Sequence, residues 1–324
     1  DIGVEFRYNT QVESLDDLFE QGFDAVFLGL GATKGTTMGI PGEDDPRVLD
    51  GLSVLWDINL EGKSQLEGRV AVVGGGNVAI DVARCGLRMG AGQMSMLYRR
   101  TREEMPASPE EIEAALNEGV NIDFLVAPIS VTAQEDCLQV QCIRMELGEP
   151  DASGRRRPVP VEGSEFILEV DRFVMAIGQK AVIPQAFGVE LNRRGYIKAD
   201  NCRAEGRKGV FTGGDVMSGP ATVIEAIHGG RLAASEIDKY LGGTGDIMQR
   251  FIPEEAENNR LGRDEGFAYY KRIHEQMLPV EECLKGFDEV EHAFHENEAL
   301  EEAKRCLRCQ LRLTISKVPM PPEQ

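Results

Sequence analysis

In the middle of the chain the spacing of apolar positions switches from unbroken to helical and back. Val70–Val73 is a continuous apolar run, apolar residues recur at three- and four-residue spacing through Ala79–Met89, and Met94–Tyr98 is a second compact run. A short run apolar on both faces reads as a strand covered on both sides, and the longer spacing reads as a helix with one buried stripe. Strand, helix and strand in that order predict a βαβ unit on a parallel sheet. Further runs at Ala25–Leu30, Ile122–Thr132, Leu138–Glu146, Phe166–Glu169 and Arg172–Ile177 predict strands, as does Val4–Tyr8 near the start. Helix signals sit at Ser14–Glu20 and Pro109–Glu118, and the Gly/Asp/Pro-rich stretch Gly148–Gly163 separates the arms of a hairpin whose Arg155–Arg157 tip is expected in solvent. From about residue 246 the chain becomes charged and helical, with little strand character.

The turn inside the βαβ unit carries the first chemistry. In VAVVGGGNVAIDVAR, Gly74, Gly76 and Ala79 occupy the small-residue positions of the dinucleotide fingerprint. The first allows the tight turn, the second lets backbone approach a pyrophosphate, and the third lets helix pack closely on strand. The helix opening at Asn77 and Val78 aims free N–H groups and its positive dipole end at that pyrophosphate. Where the second strand ends, an acid would accept hydrogen bonds from the adenosine ribose; this chain has Arg99, Arg100 and Arg102 instead. Guanidinium forks match phosphate oxygens, so the triplet points to NADPH rather than NADH.

A second glycine signal lies at Gly209–Ala234, GVFTGGDVMSGPATVIEAIHGGRLAA. A strand runs into Gly213, Gly214 and Asp215, whose carboxylate can accept hydrogen bonds from a chain of hydroxyls. The helix that follows presents the backbone of Ala221, Thr222 and Val223 at its positive end.

Four segments resemble a known family, the NADPH-dependent flavoproteins similar to the small (β) subunit of glutamate synthase. They are FDAVFLGLGATKG with IPGEDD, VAVVGGGNVAIDVAR with LYRRTREEMPA, FVMAIGQ, and GVFTGGDVMSGPATVIEAIHGGRLAA. The resemblance implies an α/β, glutathione/thioredoxin-reductase-like flavoprotein with two dinucleotide-binding domains. On it, residues 61–185 form the NADP(H) domain, 1–60 and 186–245 form part of an FAD domain, and 246–324 form a helical tail. On the resemblance Gly31, Ala32, Asp215, Thr222 and Val223 would lie on FAD, and Gly74, Gly76, Val78, Ala79, Arg99 and Arg100 on NADPH, with Ala176 and Gly178 closing that domain. The residues themselves add Gly214 and Ala221 to the first set and Asn77 and Arg102 to the second. Family members begin with a strand and a G-x-G-x-x-G of their own for FAD, and no such segment precedes Phe23. The expectation is an incomplete FAD domain that holds FAD weakly or not at all, with residues 1–60 partly disordered or paired with a second copy.

Composition narrows the reading further. With 35 Lys and Arg against 55 Asp and Glu the formal charge is −20, which argues against nucleic acid. No apolar run is long enough for a membrane span, and seven cysteines without a disulfide-scaffold pattern favour a reducing cytoplasm. The tail holds Cys306-x-x-Cys309. Such a pair can bind zinc or an iron–sulfur cluster, cycle as a disulfide, or stay as metal-free thiols. The resemblance favours iron–sulfur, since E-A-x-R-C-L-x-C recurs in the family around cluster ligands; Cys283 is the third candidate within the tail, and His292 and His295 lie near it in sequence. The nucleotide domain itself has no C-x-x-C, unlike thioredoxin reductase, so electrons would leave the flavin for a bound substrate or for a partner, and the resemblance points to a larger catalytic or electron-accepting subunit. Hydride transfer needs alignment more than proton transfer, and no general acid or base is assigned. His228 is within reach of the flavin region but is read first as a helix-packing histidine, and Glu104 is either a border of the nicotinamide side or a surface acid. A stand-alone flavin oxidoreductase and a non-catalytic NADP(H)-binding module are the alternatives.

Overall fold

The structure, a computed structural model, describes residues 3–150, 154–247 and 269–305. The chain divides into two units, 1–247 and 248–324. In the first unit, helix α1 (Leu15–Glu20), strands β1 (Val26–Leu28), β2 (Lys34–Gly35) and β3 (Val48–Asp50), and helix α2 (Gly51–Trp56) precede a single π-turn at Asp57–Glu61. The predicted βαβ unit follows as β4 (Arg69–Val73), α3 (Asn77–Arg88) and β5 (Gln93–Tyr98), then α4 (Pro109–Asn117) and β6 (Asn121–Phe124). These strands build a five-stranded sheet in the order β3-β11-β4-β5-β6, with β11 at Arg172–Met175, and every pairing is parallel.

Both faces of that sheet are covered, which is why its strands read as continuous apolar runs. Val70 and Val72 of β4, Met94, Met96 and Tyr98 of β5, and Val174 of β11 pack against α2, α3 and α4 with Ile80, Val82 and Ile112. The alternate residues Ala71, Val73, Leu97, Phe173 and Met175 face an antiparallel meander. Its strands are β7 (Val126–Ala133), β8 (Leu138–Pro150), β9 (Arg156–Pro160) and β10 (Phe166–Val170), with β8 pairing to all three others. The run expected as one strand at Ile122–Thr132 is thus two strands in two sheets. The break is Leu125, whose φ of 57° lies in the left-handed region and turns the chain from one sheet into the other.

The helices α3 and α4 are joined by a buried charge cluster. Glu118 Oε1 accepts from Arg84 Nη2 at 2.6 Å and from Arg88 Nη2 at 2.8 Å, and Arg84 Nη1 reaches Glu111 at 2.6 Å. The Glu118 side chain is 3 % exposed.

A smaller sheet, β1-β15-β14-β13, forms from β13 (Ala199–Asp200), β14 (Arg203–Ala204) and β15 (Val210–Thr212). Only β1 and β15 pair in parallel; the others are antiparallel. Its core gathers Leu15, Leu28, Phe187, Ile197, Val210 and Val216. The short helix α5 (Asp215–Ser218) and the long helix α6 (Val223–Tyr240) complete it. Two short segments, β2 and β12 (Gln179–Lys180), pair antiparallel where the chain passes between the two sheets. The segment Val4–Tyr8 is not a strand: Val4, Phe6 and Tyr8 are exposed, and among the described residues no strand pairs with this segment.

In the second unit, β16 (Gln276–Met277) pairs antiparallel with β17 (Glu291–His292), and helices α7 (Val280–Cys283) and α8 (Glu296–Ala303) flank that pair. Among the described residues of the tail, two helices thus accompany a pair of two-residue strands. No helix among the described residues is long and apolar enough to cross a membrane.

Candidate functional site

The parallel sheet ends on one side in Asp50, Met175, Val73, Tyr98 and Phe124. Ligands of such sheets bind outside the carboxyl ends of the strands, where neighbouring connections leave in opposite directions. Here that point lies between β4 and β11, and the glycine loop fills it. Gly74 sits at φ 150°, and a Cβ there would lie 2.3 Å from the carbonyl oxygen of Ala176, so only glycine fits between β4 and the end of β11. Ala176 N in turn donates to Val73 O at 2.9 Å, and Ala79 is fully buried where α3 crosses the sheet. The sequence-predicted residues Gly74, Gly76, Asn77, Val78 and Ala79 thus form the turn and first helical residues after β4, with Ala176 packed against them from the end of β11.

The start of α3 differs from the other long helices. The Ser108 hydroxyl caps α4 and the Thr222 hydroxyl caps α6, each accepting from the backbone three residues on. Helix α3 begins at Gly76, and no side chain caps it. The first-turn amides of a helix need acceptors, and an uncapped end above a glycine turn is the arrangement that takes up a phosphate. A Cβ at Gly76 would meet nothing nearer than Pro106 Cγ at 3.8 Å, so its far side is open.

The loop is backed by residues that the sequence motifs do not single out. The Tyr98 ring lies against Gly75, where a Cβ would come within 2.4 Å of it. Tyr98 Oη donates to Glu104 O at 2.6 Å, and Ala107 N donates to Gly75 O at 3.2 Å. The position of Tyr98, just before the arginines, is the one signal in the sequence. Glu104 is not aimed at a ligand: its carboxylate accepts from Thr101 N and Thr101 Oγ1, closing the turn.

The three arginines part company. Arg99 is exposed at the strand end. Arg102 is exposed and pairs with Glu113 at 2.8 Å, a contact that contributes little in water. Arg100 is only 5 % exposed, and its Nε donates to the carbonyl of Arg156 at 2.8 Å. The Arg155–Arg157 run, expected as a hairpin tip in solvent, is therefore tied to the end of β5. Gly178, at φ 141°, accepts from Thr36 N at 3.0 Å on the segment joining the sheets.

A second crevice opens where β1 and β15 end side by side, Leu28 opposite Thr212. Thr212 Oγ1 donates to Leu28 O at 3.1 Å, and from there Gly31 and Ala32 leave one strand while Gly213, Gly214 and Asp215 leave the other. Gly213 and Gly214 let α6 approach closely: a Cβ on Gly213 would lie 3.0 Å from the backbone of Gly229. The donors expected at Ala221 and Thr222 have internal partners. Ala221 N donates to Asp215 Oδ1 at 3.2 Å, and Thr222 N to Glu225 Oε2 at 2.9 Å. Val223 and Ile224 are 76 % and 78 % exposed, and His228 is exposed on the same turns of helix.

Cys306 and Cys309 lie outside the described residues. Cys283 is buried, its thiol pointing to Leu278 O at 3.4 Å, and His295 N donates to Glu298 in the cap of α8. Among the described residues no three His, Cys, Asp or Glu side chains are grouped to hold a metal ion.

Two crevices at the carboxyl ends of parallel strands, each with a glycine turn running into a helix, define a protein class built on paired dinucleotide-binding folds. The chain belongs to the pyridine nucleotide-disulphide oxidoreductase family, whose pattern matches residues 3–230. It is 42% identical over 329 residues to the NADP(+)-dependent formate dehydrogenase subunit beta of Moorella thermoacetica, covering 95% of this chain and 46% of that protein. It is 36% identical over 348 residues to an NADPH-Fe(3+) oxidoreductase subunit beta of Geobacter sulfurreducens, covering 95% and 52%. Against the glutamate synthase (NADPH) small chain of Escherichia coli K12 the identity is 37% over 268 residues, 74% of this chain and 56% of the other. The chain spans about half the length of the curated relatives it matches. Its fold is that of the two-dinucleotide-binding flavoproteins. The Mycobacterium tuberculosis FprA complex with NADPH superposes with a TM-score of 0.60 at 20% identity, over 70% of this chain and 65% of that one. Thioredoxin reductase of T. acidophilum gives 0.50 at 18% identity, over 67% and 66%.

Proposed function

We propose that the chain is an electron-input module that binds NADPH on the five-stranded sheet and, in the intact protein, works with FAD to serve a larger electron-accepting subunit. The observation that carries this reading is the uncapped start of α3 above the Gly74–Gly76 turn, with Arg99 exposed at the end of the neighbouring strand. Asn77 and Val78 would hold the pyrophosphate, Gly74 and Ala176 would set the depth of the crevice, and Arg99 would meet the 2′-phosphate. NADPH supplies a hydride, and FAD, an acceptor of two electrons, can release them singly or in pairs. This chain's own part is alignment, because hydride transfer depends on the mutual positioning of the two cofactors more than on a general acid or base. The names of the relatives, subunit beta and small chain, support a partner subunit. The seven cysteines, whose spacing carries no disulfide-scaffold pattern, support a reducing cytoplasm.

Two residue sets test the flavin part of this reading. Asp215, Gly214, Gly31 and Ala32 face one crevice and would hold FAD, whereas the amides of Ala221 and Thr222 already have acceptors within the chain. That second observation favours one alternative, a chain that binds NADP(H) without turning it over. Titration with NADPH and NADH, read by quenching of the single tryptophan, with an absorbance spectrum of the same sample, separates the readings. NADPH binding much tighter than NADH, and lost in Arg99→Met, supports the nucleotide site. Equal affinity for the two nucleotides would sink it. Stoichiometric flavin absorbance and diaphorase activity with an artificial acceptor would support the flavoenzyme, and their absence the binding module. Iron and acid-labile sulfide assays on anaerobic protein, with Cys306→Ser and Cys309→Ser as controls, test the cluster that the resemblance implies for the tail.

A further inference from the structure

The β8–β9 hairpin is held to the end of β5 by a chain of bonds that no single strand pairing requires. The register between β8 and β9 shifts between Leu147 and Pro150. Arg156 Nη2 bonds Leu147 O at 2.7 Å there, and its Nε bonds Gly148 O at 3.2 Å. With its side chain turned back onto β8, Arg156 offers its carbonyl to Arg100 Nε at 2.8 Å. Arg100 is fixed from its own backbone as well, since its carbonyl accepts from Leu125 N at 3.2 Å. A buried guanidinium committed to a backbone carbonyl cannot swing out to a ligand without leaving that acceptor unpaired. Its neighbours remain outside: Arg99 on one side of the bond, and Arg155 and Arg157 on the other, are all exposed. The phenol of Tyr98, raised by burial, feels the opposing charges of Arg100, Arg155 and Arg99. Arg99 and Arg155, the exposed neighbours of the two residues joined by the Arg100–Arg156 bond, therefore flank one strand end of a chain whose formal charge is −20.

We propose that Arg155, carried on the β8–β9 hairpin, joins Arg99 in recognising the 2′-phosphate of the nucleotide, and that Arg100 is the positioning residue that fixes the hairpin there. The inference rests on the reading that NADPH binds above Gly74–Gly76, and it assigns specificity to a hairpin outside the βαβ unit. A phosphomonoester between two guanidiniums gains charge-assisted, bidentate contacts that a ribose hydroxyl cannot provide. The same positive hairpin would leave NADH affinity untouched.

The test is titration of the full 324-residue chain with NADPH and NADH, and with 2′,5′-ADP and 5′-AMP as fragments. Arg155→Met is expected to weaken NADPH and 2′,5′-ADP about tenfold, the size of one lost charge-assisted hydrogen bond, with NADH and 5′-AMP unchanged. Arg155→Glu is expected to weaken them further. Arg100→Met is expected to lower the NADPH:NADH ratio in the wild-type background but to leave it unmoved in an Arg155→Met background; a merely structural role would lower both affinities equally in both backgrounds. Arg155→Met, with its melting curve compared with that of wild type, decides the matter even if Arg100→Met fails to fold. An Arg155→Met ratio equal to wild type, with Arg99→Met collapsing it, would overturn the hairpin assignment and leave the nucleotide site standing. A wild type that does not prefer NADPH at all would overturn both.

Discussion

Replacing Glu118 by Gln should cost the unit built on the five-stranded sheet a large share of its stability. The carboxylate sits at the junction of α3 and α4, with Arg84 Nε at 3.0 Å, Arg84 Nη2 at 2.6 Å and Arg88 Nη2 at 2.8 Å, all on one oxygen. Its side chain is almost wholly enclosed, and the two guanidiniums are largely so. The neutral amide would leave two buried cations, of which Arg84 keeps its bond to Glu111 at 2.6 Å. Breaking a buried ion pair by removing one partner costs about 3–5 kcal/mol. Glu111 keeps Arg84 partly compensated and the amide retains one acceptor, so a smaller cost, about 2–3 kcal/mol, is expected. For a domain of this size that corresponds to a fall in Tm of about 5–10 °C. The effect should also depend on pH. Burial pushes the Glu118 carboxyl up, but the bonds from Arg84 and Arg88 outweigh it and hold the group below the ordinary glutamate range. A depressed folded-state pKa means that the stabilisation is complete above that range and is lost as pH falls through the folded-state value. The gap between wild type and variant should therefore be full at pH 7.5 and narrow in acid, as read by urea melts at both pH values. A loss below about 0.5 kcal/mol at pH 7.5, typical of exposed pairs, would refute the buried-cluster argument.

Three further outcomes are expected. Gly74→Ala would drive a methyl into the carbonyl of Ala176; a cost of about 1–3 kcal/mol and loss of NADPH binding should follow, and an unaltered titration would remove this turn from the site. Thr222→Ala removes the acceptor for Glu225 N, which should cost about 1 kcal/mol and speed hydrogen exchange in the first turn of α6, whereas unchanged exchange would mean that Thr222 is not the cap that matters. Burial pushes the Cys142 thiol up to about 12, so iodoacetamide at pH 8 should leave it unmodified in native protein and alkylate it after unfolding; rapid native labelling in peptide mass spectra would contradict its enclosure.

The dinucleotide turn is legible in the amino-acid sequence because its chemistry is local. Gly74, Gly76 and Ala79 answer to steric demands within a few residues of one another, and the switch from unbroken to helical apolar spacing at Val70–Tyr98 reports a strand and helix covered in predictable ways. The strand expected at Val4–Tyr8 fails for a non-local reason: a strand is stable only where a neighbour takes up its backbone groups, and the pattern of Phe6 and Tyr8 holds no information about a neighbour. Leu125 hides the boundary between two sheets because an apolar residue in a left-handed conformation looks like any other leucine in sequence. The adjacent arginines Arg99 and Arg100 look equivalent as a motif, as donors in a run. Only the tertiary structure separates them, because the carbonyl that takes up Arg100 belongs to Arg156, 56 residues further on, and a hydrogen bond between distant segments leaves no trace in the spacing of either.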